Sequence, residues 1–222
     1  MGVLLMLMTI GGLAVATPLL LFSLITKRTW LTRFTLAGIA IWFVFYGAML
    51  LGFSLTSNER VLAVGEAKEY CGFYLDCHMH TAVTGVRTAK TIGDKQANGL
   101  FYIANVKVFS DAKNPNIALH LIEPKARVVL SDGGKIERDL IAESKLPAKG
   151  VMLDADIHNN ETIEKEIVFD VPATAADAKL LITEGYGIDK TIEHVLIGDE
   201  DSIFHGQTFF ELKEQNVVAG VK

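Results

Sequence analysis

The first 58 positions of this 222-residue chain contain no acidic residue, and their only charges are Lys27, Arg28 and Arg33. The chain also lacks the motifs of the common enzyme classes. It has no glycine-rich phosphate loop, no G-x-S-x-G nucleophile elbow and no helix-borne histidine pair for zinc, which argues against nucleotide, acyl-transfer and metalloprotease chemistry. Cysteine occurs only twice, at Cys71 and Cys77. No internal repeat, low-complexity tract or long linker is present, and the expectation is a protein that is not an enzyme.

What is abundant is apolar surface. Half the residues are hydrophobic, and the excess is concentrated in two uncharged runs, Gly2 to Thr26 and Phe34 to Thr56. A helix needs about 20 mainly apolar residues to cross a hydrocarbon core of ~30 Å, and both runs are long enough. The spacing predicts two transmembrane helices, about 3–26 and 34–56, joined by a short basic loop over 27–33 and together forming a membrane segment 1–56. Pro18 falls inside the first, where neighbouring groups in a spanning helix can re-satisfy the backbone. A short loop rich in Lys and Arg stays cytoplasmic, so the N-terminus and everything beyond Thr56 are expected outside, with Trp30 as an interfacial anchor. Ala14 to Ala16 reads as a signal-peptidase pattern, but the positive charge follows the apolar run instead of preceding it, and no cleavage is expected.

Residues 57–222 form the predicted extracytoplasmic domain. Removing the three loop cations leaves 18 Lys and Arg against 26 acids, a net charge of −8. Phosphate binding needs basic patches, so nucleic acid is not an expected partner. Period-two alternation marks strands. In "TIEKEIVFDVP", Ile163, Ile167, Phe169 and Val171 share one face, and only Lys165 and Val168 break the pattern. In "GLFYIANVKVFSD", Tyr102, Ala104, Val106 and Val108 alternate with Ile103, Asn105, Lys107 and Phe109. "KARVVLSDGGKIERDL" places Asp132, Gly133 and Gly134 between two short runs, a hairpin signal. Further predicted strands are "HTAVTGVRTAKTI", "GVMLDADIH", "AKLLITE", "TIEHVLIG" and "QTFFEL". Helical periodicity is not evident outside the membrane segment. Short strands separated by turn signals predict an all-β antiparallel sandwich.

The series "NGLFYIANVKVFSDAKNP", "ARVVLSDGGKIER" and "GVMLDADIHNNETIEKEIVFDVPATAADAKLLI" resembles the telokin-like, immunoprotective extracellular family of bacterial Ig-like sandwiches. The resemblance runs from about Asn98 to Ile182, and "VFDVP" is its most specific part. It implies an Ig-like fold and brings no catalytic residues.

The stretch Glu69 to His80, "EYCGFYLDCHMH", admits two chemistries. In an oxidising compartment two cysteines are more often bridged than free. A Cys71–Cys77 disulfide requires the five residues between them to turn, because bridged Cα atoms lie within about 7 Å, and Gly72 and Asp76 suit such a turn. Alternatively, Cys71, Cys77, His78 and His80 supply thiolate and imidazole ligands that select soft or borderline ions, copper above all. A strand would point His78 and His80 to one side and Cys77 and Met79 to the other. Two spanning helices before an external sandwich also resemble subunit II of cytochrome oxidase. The spacing and early position of the cysteines depart from that subunit's copper motif. Asp199, Glu200 and Asp201 form an acidic cluster that suits a solvated turn or a calcium ion.

Three functions follow as expectations. The first is a membrane-anchored extracytoplasmic Ig-like interaction module without a cofactor, whose partners are the lipid membrane and another envelope or membrane protein. The second is an accessory subunit of a bacterial membrane complex, for which Gly11, Gly12 and Gly38 would allow close helix approach. The third is a periplasmic copper-binding or thiol-redox protein built on Cys71 and Cys77.

Overall fold

The computed structural model describes residues 2–71, 77–114, 116–147, 150–175 and 177–214. The chain divides into two compact units, one comprising Met1–Glu59 with Gly187–Gln207 and the other Arg60–Tyr186 with the chain from Thr208 onward.

The first unit contains the two apolar runs as helices α1 (Gly2–Ile25) and α2 (Thr29–Thr56). The helix α1 continues through Pro18. The tight turn between the helices is shorter than the charge pattern predicts. Thr29 to Arg33 already belong to α2, so only Thr26 to Arg28 connect the two. Side-chain hydrogen bonds fix the antiparallel pairing: Trp42 Nε1 donates to Thr9 Oγ1 at 2.9 Å, and the Ser23 and Thr32 hydroxyls meet at 2.9 Å.

The second unit is a β-sandwich. Its strands are β1 (Arg60–Leu62), β2 (Ala67–Tyr70), β3 (Met79–Ile92), β4 (Lys95–Ser110), β5 (Lys125–Val129) and β6 (Lys135–Glu137), followed by β7 (Thr162–Val171), β8 (Lys179–Thr183) and β9 (Thr208–Glu211). A four-stranded sheet has the order β2-β3-β4-β7, and a five-stranded sheet the order β1-β9-β8-β5-β6. All pairings are antiparallel except β1 with β9, where Arg60 lies opposite Thr208. That exception follows from connectivity. Both strands begin where the backbone leaves the first unit, and the two exits run side by side, the Gly206 N–H donating to Ser57 Oγ at 2.7 Å.

The alternation seen in the sequence fills the space between the sheets. Ala104, Val106 and Val108 of β4, Ile167, Phe169 and Val171 of β7, and Leu180, Ile182 and Phe210 of the facing sheet form one buried cluster. The β5–β6 hairpin turns at Asp132–Gly134, with Gly133 at φ +82° and Asp132 Oδ1 accepting from the Gly134 N–H at 2.8 Å.

The two residues that break the β7 pattern have physical explanations. The outer face of the four-stranded sheet carries a second core, in which Val168 packs with Ile92, Phe101, Ile103, Ala142 and Leu146. The cover comes from a short helix, α3 (Leu140–Ser144), capped by Asp139 Oδ1, which accepts from the Ala142 N–H at 2.9 Å. Lys165 reaches the Gly150 carbonyl at 3.2 Å. Helices outside the apolar hairpin therefore exist, contrary to the expectation of none. They are one or two turns long, too short to display a 3.6-residue period.

Two predicted strands are absent. "TIEHVLIG" begins in α4 (Gly187–Glu193) of the first unit and continues into turns. Leu196 and Ile197 are adjacent and both buried there, an arrangement that one face of a strand cannot supply. "GVMLDADIH" is irregular except for a single bridge between Ile157 and Leu119, because a turn from Met152 to Ala155 interrupts it. Gly187–Gln207, far along the chain from the hairpin, groups with it in the first unit.

Candidate functional site

The stretch from Glu69 to His80 lies at the β2–β3 turn, and the register explains its geometry. Tyr70 pairs with Met79 and Glu69 with His80, so the chain leaves β2 and re-enters β3 at neighbouring points. Cys71 and Cys77 face each other across this opening and form a disulfide with a Cα–Cα distance of 4.0 Å. The turn residues Gly72 to Asp76, which the sequence reading relies on, lie outside the described residues.

Strand alternation separates the other side chains. Met79 enters the core. His78 and His80 both point to the opposite side, towards Asp111 at the end of β4: Asp111 Oδ1 lies 2.8 Å from His78 Nδ1 and 3.4 Å from His80 Nε2. Only the first contact has hydrogen-bond geometry, because the buried His80 Nε2 finds no partner with acceptable angles. The His80 ring instead stacks on Phe109 of the neighbouring strand, with centroids 5.1 Å apart, and Lys107 Nζ lies over the other end of this row, 5.2 Å from the Phe109 ring. The hydrogen bond with His78 holds the Asp111 carboxyl below its usual range, with smaller contributions from His80. Asp111 therefore orients the His78 imidazole, and the Phe109 ring positions that of His80.

Among the described residues, the metal-type cluster that the structure assembles is Glu69, Cys71 and Cys77, whose ligand atoms all lie within 4.8 Å of one another. Glu69 was not among the residues singled out from the sequence. Its approach comes from the β2–β3 register, which spacing along the chain does not reveal. With the disulfide closed, both sulfurs are engaged with each other. A soft-metal site drawn from Cys71, Cys77, His78 and His80 would first require two-electron reduction to thiolates.

Buried polar groups between the sheets were also not anticipated. Lys68 of β2 is buried and donates to the Ile182 carbonyl of β8 at 3.1 Å, while the Tyr70 hydroxyl reaches the same carbonyl at 3.2 Å. This carbonyl lies beyond the two residues by which β8 pairs with β9, so the two side chains supply donors where that ladder has ended. Nearby, Glu184 accepts from the Ile122 N–H at 3.1 Å. Burial pushes the Glu184 carboxyl up against the opposing effects of that bond, Lys68 and His120. A small open cleft of about 380 Å³ lies among Val61, Tyr102, Asp177, Lys179, Lys213 and Glu214, with charges of both signs on its walls.

The remaining histidines have local partners. His120 pairs with Asp156 at 3.1 Å and His158 with Glu161 at 3.2 Å, while His194 and His205 contact backbone carbonyls. Asp199, Glu200 and Asp201 form a turn in which Asp199 Oδ1 accepts from the Asp201 N–H at 2.9 Å.

No family model matches this chain, and no curated protein matches it. Several solved structures are similar to it. One is the secreted protein MPT63 from Mycobacterium tuberculosis, with 11% identity over 70% of this chain and 99% of that one and a TM-score of 0.43. Another is the yjhA protein from Bacillus subtilis, with 12% identity over 68% and 98% and a TM-score of 0.42. A third is an uncharacterized β-sandwich protein from Clostridium difficile, with 10% identity over 71% and 96% and a TM-score of 0.39. Of the telokin-like resemblance, the structure shows the β-sandwich, and no family model supports the family itself.

Proposed function

We propose that this protein is a two-pass membrane-anchored module whose β-sandwich faces the extracytoplasmic side and acts without catalysis, by binding another envelope or membrane protein. The observation that carries this reading is the exposure of the hairpin. The apolar windows of α1 and α2 are 0% and 6% buried within the protein, whereas a core helix of a soluble domain hides such a face. Leu4, Val15, Phe34, Ile41 and Val44 are among the side chains left uncovered, and a bilayer satisfies them at no cost to the backbone. The three cations at the helix turn support a cytoplasmic bend. A disulfide in the sandwich supports an oxidising compartment.

Protease added to intact spheroplasts is the direct test: digestion of the sandwich is expected, and a fully protected sandwich would overturn the assignment.

A second reading, the accessory subunit, has an observation of its own. Gly11, Gly12 and Gly38 have open space where a Cβ would lie, so a partner helix can approach the backbone closely there. Mild detergent extraction followed by native electrophoresis separates the two readings, a single small species counting against the subunit. Copper or thiol-redox function requires the open form of Cys71 and Cys77. Rapid alkylation without reductant together with stoichiometric copper would replace the binding module by that reading.

A further inference from the structure

The segment Gly187–Gln207 is unusual in being rich in both acids and uncovered apolar side chains. Ile188 is 71% exposed, Phe204 69%, Val195 49% and Ile203 42%. The same segment is attached to the hairpin at successive depths. Tyr46 donates its hydroxyl to the Val195 carbonyl at 2.7 Å, the Ser54 and Ser202 hydroxyls meet at 3.2 Å in a buried contact, and Ser57 accepts from the Gly206 N–H. Gly2, the first residue of α1, approaches Ile197 so closely that a Cβ there would lie 2.2 Å from the Ile197 carbonyl oxygen.

These attachments fix the level of the segment. Tyr46 lies ten residues before the end of α2 at Thr56, which is about 15 Å along the helix axis. Arg33 is the last charge on the cytoplasmic side, and about 20 residues span the hydrocarbon. The apolar layer that begins at Phe34 therefore reaches past Tyr46 to the neighbourhood of Phe53. A segment bonded to α2 from Tyr46 to Ser57 lies alongside the outer edge of that layer, and its uncovered side chains continue the apolar surface of the helices.

We propose that Gly187–Gln207 is a membrane-interface collar, a non-spanning segment that seats Ile188, Val195, Ile203 and Phe204 in the boundary between lipid headgroups and acyl chains. The inference rests on the reading of α1 and α2 as spanning helices and adds a third point of lipid contact. Apolar side chains of a segment with a charged opposite face favour this boundary. Two acids of the segment, Glu193 and Asp199, lie in poorly solvated positions. Burial raises Asp199, and burial with the charges of Asp199, Asp201 and Asp189 raises Glu193, against the opposing effect of Lys190.

Single-tryptophan variants of the full chain test the collar. In a Trp30→Phe/Trp42→Phe background, Phe204→Trp, Ile188→Trp and, as a control on the exposed sandwich surface, Met152→Trp are reconstituted into phosphatidylcholine–phosphatidylglycerol vesicles whose acyl chains are brominated near the headgroup. The parent chain, reporting through Trp30 and Trp42, serves as a readout of the spans. Quenching of Phe204→Trp and Ile188→Trp relative to vesicles of unbrominated lipid, with Met152→Trp unchanged, is the expected result. Unquenched emission at both collar positions with the parent still quenched overturns the collar and leaves the spans standing. Blue-shifted but unquenched emission also overturns it, because the side chains are then covered by protein. An unquenched parent removes the spanning helices and the collar together.

Discussion

Two residue pairs in the sandwich combine local chemistry with a measurable cost. The Cys71–Cys77 bridge closes a loop with a sequence separation of six. A loop this short constrains the unfolded chain modestly, by about 2–3 kcal/mol. Replacing both cysteines by serine is expected to lower stability by that amount, read from denaturant midpoints, and reductant should have no further effect on the variant. The second pair is Arg138 and Glu143. Glu143 is buried, takes two hydrogen bonds from the guanidinium at 2.6 and 2.8 Å, and also accepts from the Val168 N–H at 3.2 Å. Arg138→Ala strands a buried carboxylate and should cost roughly 3–5 kcal/mol. Adding Glu143→Leu should recover part of that loss and no more, because the Val168 N–H then has no acceptor, a deficit of about 1–3 kcal/mol. Full recovery in thermal unfolding would show that this third contact contributes nothing.

The role of α3 explains why one face of the four-stranded sheet departs from simple alternation. It covers Val168 and Ile103 on a face that binary patterning assigns to solvent, and its Glu143 occupies the outward N–H of an edge strand that would otherwise invite pairing. Val168→Ala should therefore cost about 2 kcal/mol, as a core truncation does. Glu164→Ala, on the same face beyond the reach of α3, should change stability by no more than about 0.5 kcal/mol. Denaturation of the two variants side by side checks the contrast. The same elements show what could be read in advance. The inward residues of β4 and β7 and the Asp132–Gly134 turn were legible because period and turn chemistry are local. The helix α3, the parallel β1–β9 pair and the approach of Glu69 to the cysteines depend on segments far apart in the chain, and no spacing encodes them. In "TIEHVLIG" the local signal pointed to a strand, but packing on the hairpin buries consecutive residues and overrides it.

At the scale of the whole molecule, the segment Gly187–Gln207 carries a pH-sensitive group. Glu193 is pushed up to about 7, first by burial and then by Asp199, Asp201 and Asp189, with Lys190 opposing. Glu200, His194 and His205 are the other titratable residues of the segment. An acid whose folded value is raised binds an extra proton in the folded state, so its contribution is full below about 4.5, its ordinary value, and is lost as pH rises through about 7. Hydrogen exchange across Gly187–Gln207 should accordingly be slower at low pH, after correction for intrinsic rates, than in mildly alkaline buffer. Glu193→Gln should flatten that dependence, and an unchanged profile would place the effect elsewhere. Connectivity has a further consequence at this scale. The backbone passes between the two units three times, after Glu59, Tyr186 and Gln207, and the last passage delivers β9, whose Phe210 is fully buried in the sandwich. A protease that nicks the chain after Tyr186 or Gln207 leaves the sandwich covalently joined to the hairpin, whereas a cut after Glu59 leaves it joined only to Gly187–Gln207, which hydrogen bonds tie to α2. A cut after Gln207 alone leaves the final strand held by pairing and packing.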